Sequence, residues 1–70
     1  MRESIFVCRF TSPGSSRTAR VRAWNEREAV EVFRDELVEE DLQESGTIEI
    51  LGSEGRPRLA ASFEPHAAAP

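Results

Sequence analysis

Lysine is absent, cysteine and histidine occur once each, and no apolar run approaches the roughly 20 residues that a membrane-spanning helix needs. Each absence excludes something. The lone Cys8 leaves no partner for an intramolecular disulfide and, with a single histidine, no zinc quartet. A reduced, cytoplasmic setting is expected from that cysteine usage. The opening MRESIFVCRF has only a short apolar run before Arg9 and no small-residue cleavage site, so no signal peptide is read there. His66 lies between Pro65 and a run of alanines, without the rigid shell that a ligand or general base requires. Ser12, Ser15 and Ser16 have no plausible base nearby. The stretches SPGSS and GSEG read as turns rather than phosphate loops, since neither carries a lysine or opens a helix. Carboxylates are plentiful, but nothing suggests a pocket that would separate their pKa values for acid–base work. The expectation is a protein that is not an enzyme and takes no cofactor and no metal.

What is present fits one small domain. A chain of 70 residues buries only about 60% of its unfolded surface, so its core has little margin. The net charge of −4 conceals a division: residues 1–24 carry five arginines and one glutamate, whereas residues 25–54 carry eleven acids and two arginines. Such segregation predicts a two-sided molecule. All nine basic residues are arginine, the side chain suited to bidentate carboxylate and phosphate contacts. A GC-rich coding bias explains the same preference, and the Ala- and Pro-rich tail agrees with it.

Periodicity predicts the elements. SIFVCRFT is rich in β-branched and aromatic residues and reads as a strand, with Phe6, Cys8 and Phe10 on one face and Ile5, Val7 and Arg9 on the other. SPGS is a turn in which Pro13 presets φ and Gly14 is expected to take positive φ. SRTARVRAW returns as a second strand. A four-residue loop from Ser12 to Ser15 pairs Thr11 with Ser16, hence Phe6 with Val21 and Cys8 with Ala19; a one-residue slip would put Arg20 and Arg22 on the buried face. A helix follows, with Asn25 as N-cap, Glu28 completing a capping box, and Trp24 expected to pack on Ala29 as a staple. Ala29, Val30, Phe33 and Leu37 form its buried stripe. Leu42 is off that stripe, so the helix is expected to bend or end near Glu40, with Asp41 and Glu44 capping a short second turn. TIEIL is a third strand with Ile48 and Ile50 inward, and RPRLAASF a weaker fourth whose Pro57 belongs at an edge. A right-handed return from the helix sets the third strand beside the first. The predicted fold class is α+β, a ββαββ chain with one antiparallel sheet of order 2-1-3-4 and a single helix packed on one face. The domain is read as residues 1–63, with 64–70 a disordered tail.

Two surfaces remain for binding. Glu31, Asp35 and Glu39 lie on one outward helical stripe as like-charge i,i+4 neighbours, each pair opposing the helix by a few tenths of a kcal/mol. Glu39, Glu40 and Asp41 crowd the helix exit, where the dipole favours cations, with no local compensation evident. These five acids read either as a solvated face or as a contact surface for a basic partner. The outer face of the hairpin carries Arg9, Arg20 and Arg22 around Ile5 and Val7. It reads as an ordinary solvated sheet face, as a phosphate-contacting face, or as a dimer patch. Single-strand readers use exposed aromatics, and Phe6, Phe10 and Phe33 are expected inward with Trp24 at the helix start.

The run SIFVCRFTSPGSSRTARVRAW followed by NEREAVEVFRDEL resembles small phage-encoded host inhibitors, of the anti-CRISPR or RNA polymerase inhibitor type. The resemblance spans roughly residues 5–50 and rests on size, layout and charge; generic ββαβ proteins, some ribosomal ones included, share that layout. It carries no functional residue over by position. It implies a protein that occludes a nucleic-acid-binding site on its partner with acidic side chains. The leading expectation is therefore a protein-binding inhibitor or regulator using Glu31, Asp35, Glu39, Glu40 and Asp41. The alternatives are a nucleic-acid-binding module using Arg9, Arg20 and Arg22, and a homodimer that buries Ile5 and Val7.

Overall fold

The first hairpin forms in the register that its four-residue loop implies. A computed structural model describes residues 2–52 and 54–65. Strand β1 (Ser4–Thr11) pairs antiparallel with β2 (Ser16–Ala23), with Phe6 opposite Val21, Cys8 opposite Ala19 and Thr11 opposite Ser16. The turn differs from expectation in one respect: Gly14 does not take positive φ, which falls among the glycines at Gly55 instead. A Cβ at Gly14 would stand 2.8 Å from a Glu44 carboxylate oxygen, a flexible side-chain end that can move aside.

Helix α1 (Glu26–Glu39) starts where Asn25 Oδ1 accepts from the Glu28 N–H at 2.8 Å. The reciprocal bond is shifted by one residue. Glu28 Oε1 accepts from the Trp24 N–H at 2.7 Å, rather than from the cap residue's own amide. The helix ends in a Schellman motif. The Leu42 N–H donates to the Leu37 carbonyl at 3.2 Å and the Asp41 N–H to the Val38 carbonyl at 3.0 Å. The left-handed position of that motif is taken by Asp41, with φ of 59°. Leu42 packs against the core, which accounts for an apolar residue off the helical stripe: it is the hydrophobic contact that accompanies such a cap. The short second turn expected after Glu40 is absent, and the chain runs from this cap without regular structure to β3 (Gly46–Leu51).

Strand β3 pairs with β1, and β4 (Pro57–Phe63) pairs with β3, giving one four-stranded antiparallel sheet of order β2-β1-β3-β4. The fold is therefore α+β, ββαββ, with one helix against one face. Pro57 sits on the edge strand, where no ladder N–H is demanded of it. The core lies between sheet and helix: Cys8, Phe10, Val21 and Ala23 from the hairpin, Ile48, Ile50 and Phe63 from the other strands, and Ala29, Val30, Phe33 and Leu37 from α1. Burial of each larger side chain contributes about 1.5–3 kcal/mol. Phe10 and Phe63 meet edge to face, ring centroids 5.4 Å apart. No polar or charged residue is buried among the described residues. His66 and most of the expected tail, 64–70, lie outside the described residues.

Candidate functional site: two opposed charged faces

Because α1 covers only one side of the sheet, its outward stripe and the sheet's outer face point in opposite directions. Glu31, Asp35 and Glu39 are all exposed on the helix side, as are Glu40 and Asp41 at its exit. The last turn of α1 contains no basic residue to complement the negative end of its dipole.

Local compensation, absent from the sequence pattern, is nevertheless supplied at two places. Arg17, at the start of β2, forms an ion pair with Glu40. The carboxylate of Glu44 accepts from the Ser12 and Ser15 hydroxyls at 3.1 and 2.9 Å, so it ties down the β1–β2 turn instead of capping a helix. Glu39 and Asp41 have no cation partner among the described residues. Asp41 is met only by Gln43, whose Nε2 donates to Oδ1 at 2.7 Å. The acidic surface thus divides into Glu40, held by an arginine, and Glu31, Asp35, Glu39 and Asp41, which are not.

On the other side, Ile5 opposes Arg22, Val7 lies between Arg20 and Leu51, and Arg9 lies between Thr18 and Glu49. Arg9 is not free. Its Nε and Nη2 both donate to Glu49 Oε1, at 3.2 and 2.8 Å. Arg20 and Arg22 are exposed and have no ion-pair partner among the described residues. Trp24 departs from expectation. Its amide is bound to the helix start through Glu28, but its side chain is 50% exposed and lines a shallow depression of about 330 Å³ with Arg2, Glu3, Ile5 and Arg22. Alternation continuing past Ala23 carries this signal in the sequence, but the staple pattern at the same residue points the other way.

A second cleft, of about 440 Å³, lies between α1 and β4. Val30, Leu59 and Ala61 supply apolar walls and Arg27, Glu31 and Arg34 the polar ones. Arg34 Nη2 donates to the Ser62 carbonyl at 3.1 Å, and Glu31 is the one carboxylate that lines the cleft. Cys8 is fully buried, and burial pushes its thiol up to about 11, with the Glu36 carboxylate adding to the shift. A thiol so placed behaves as a small apolar side chain. Among the described residues no three histidine, cysteine or carboxylate side chains stand close enough to share a metal, and no helix is long and apolar enough to cross a membrane.

Comparison with protein families, with curated proteins and with solved structures yields no match to this chain.

Proposed function

We propose that this protein is a small non-enzymatic binding protein, of inhibitor or regulator type, that presents the acidic surface of α1 to a basic, nucleic-acid-binding site on a partner protein. One observation carries this reading. Asp41 combines two locally unfavourable choices, an L-residue in left-handed conformation where glycine is the default and a carboxylate at the negative end of a helix. Glycine would relieve both. Backbone strain of this kind collects at contact and switch regions. Glu31, Asp35 and Glu39 extend the same charge along the exposed stripe, and Glu40 is paired with Arg17 of β2.

The test is affinity capture from cell lysate with the wild-type chain and with a Glu31→Lys, Asp35→Lys, Glu39→Lys variant. All three side chains are exposed, so the variant is expected to fold. Retention of nucleic-acid-binding proteins by the wild type alone is the expected result. Equal capture by both chains would rule the acidic surface out.

A further inference from the structure

We propose that the outer face of the sheet, at its Trp24 end, is a binding site for single-stranded nucleic acid. It lies on the opposite side of the molecule from the acidic helix and does not depend on what that surface binds.

The geometry begins with β2. Its outward positions run Thr18, Arg20, Arg22, about 6.5–7 Å apart as in any strand, and Trp24 follows in the bend just past the end of β2. The row presents two guanidiniums, and the Trp24 indole shares a depression with the second of them, Arg22. Ile5 stands opposite Arg22 and is 53% exposed, and Val7 and Leu51 continue the aliphatic floor beside the arginines. Trp24 is anchored at its backbone, where its amide N–H donates to the Glu28 carboxylate at 2.7 Å. The α1 cap thus fixes where the indole begins. Arg2 joins Arg22 as the second cation lining the depression, and Glu3 adds one opposing charge.

Charge selects the class of occupant. Over the outward positions of β1, β2 and β3, Arg9, Arg20 and Arg22 stand against Glu49 alone, and only Arg9 is engaged by it. This face is positive although the chain as a whole is not. The helix acids lie across the sheet, where salt screens them over a Debye length of about 8 Å at physiological ionic strength. A second copy of the chain docked by the same face would bring two positive surfaces together. A duplex has no unstacked base to offer an indole. A single strand alternates phosphates with flat rings, which matches a row of guanidiniums leading to a half-exposed tryptophan.

Trp24 is the only tryptophan, so its fluorescence reads the site directly. The experiment titrates a short oligothymidylate, and separately an oligouridylate of the same length, into the full chain at about 20 mM salt, where phosphate contacts are strongest. Labelled oligonucleotide anisotropy provides the parallel readout for tryptophan variants. The expected result is quenching of Trp24 together with binding that weakens as salt rises. Trp24→Ala should weaken binding by about tenfold or more, with Trp24→Phe in between. Arg20→Ala with Arg22→Ala should reduce the salt slope by about 1.4, the share of two single-strand phosphate contacts. Val38→Ala, exposed on α1 and without a change of charge, should leave affinity and slope unchanged. These side chains are exposed, and circular dichroism checks that each variant is folded. Absence of binding by either oligonucleotide at low salt would overturn the proposal. So would equal affinity for a duplex of the same length, or quenching by poly-glutamate where the oligonucleotides give none, which would assign the face to acidic polypeptides.

Discussion

Replacing Asp41 with glycine should stabilise this protein. Asp41 occupies the left-handed position of the Schellman motif with φ of 59°, a conformation that disfavours an L-residue by about 1 kcal/mol. Its carboxylate also stands just past the C-terminal end of α1, where the helix dipole favours a cation, an unfavourable placement worth about 0.3–1 kcal/mol. Against these gains stands the loss of the Gln43 Nε2 contact to Oδ1, an exposed bond worth about 0.5 kcal/mol. The net is a gain of about 1 kcal/mol, which for a domain of this size raises Tm by roughly 4–8 °C. Urea denaturation followed by circular dichroism, with Trp24 fluorescence as second probe, measures it. Two companions separate the contributions. Asp41→Asn keeps the tolerance of left-handed φ and removes the charge, so it should give only the dipole share, about 0.3–1 kcal/mol. Asp41→Ala removes the charge but not the strain and should fall below the glycine variant by about 1 kcal/mol. A glycine variant no more stable than the wild type, or an alanine variant more stable than glycine, would refute the reasoning and remove the main support for a functional Asp41.

Other expectations follow from the core and the turns. Folding raises the Cys8 thiol from its ordinary 9.0 to about 11, so above pH 9 the unfolded chain gives up this proton first and stability falls as pH rises. The loss reaches about 2–3 kcal/mol by pH 11. With no lysine or tyrosine in the chain, no other side chain competes in that window. The urea midpoint should drop between pH 9 and 11 in the wild type and stay nearly level in Cys8→Ala; parallel slopes would contradict this. At Gly46, an added Cβ would strike the Thr11 carbonyl and come within 2.7 Å of the Phe10 ring, so Gly46→Ala should destabilise by about 2–3 kcal/mol. An unchanged Tm would show that the β1–β3 approach is looser than described. Arg17→Ala, which breaks an ion pair with both side chains about half exposed, should change stability by under about 1 kcal/mol in a thermal melt. A larger loss would mean that Arg17 holds the helix exit in place.

The elements that were legible in the sequence are those set by short-range pattern. Alternation in SIFVCRFT and SRTARVRA together with a four-residue loop determines the hairpin register, because a slip buries arginines. The stripe Ala29, Val30, Phe33, Leu37 determines the helix face, and handedness then sets the sheet order. Less of the candidate site was legible. An aspartate carries no glycine-like signal for a left-handed cap, so the Schellman motif at Asp41 and the role of Leu42 were hidden. The Arg17–Glu40 pair and the bonds from Ser12 and Ser15 to Glu44 join residues far apart in the chain, and nothing local announces them. At Trp24 two valid patterns collide: strand alternation turns the residue outward and a hydrophobic staple turns it inward, and the structure leaves it half exposed in the bend between β2 and α1.

If the acidic helix surface occupies a nucleic-acid-binding site on a partner, as proposed, the partner cannot hold this protein and nucleic acid together. The most direct measurement is whether duplex DNA or RNA, added to the wild-type chain with its captured partner, displaces that partner in proportion to its concentration. The account predicts competitive release, at a fixed salt concentration, and no captured partner with the Glu31→Lys, Asp35→Lys, Glu39→Lys chain. A partner that binds the protein and the nucleic acid at the same time, with affinities that do not influence each other, would contradict it.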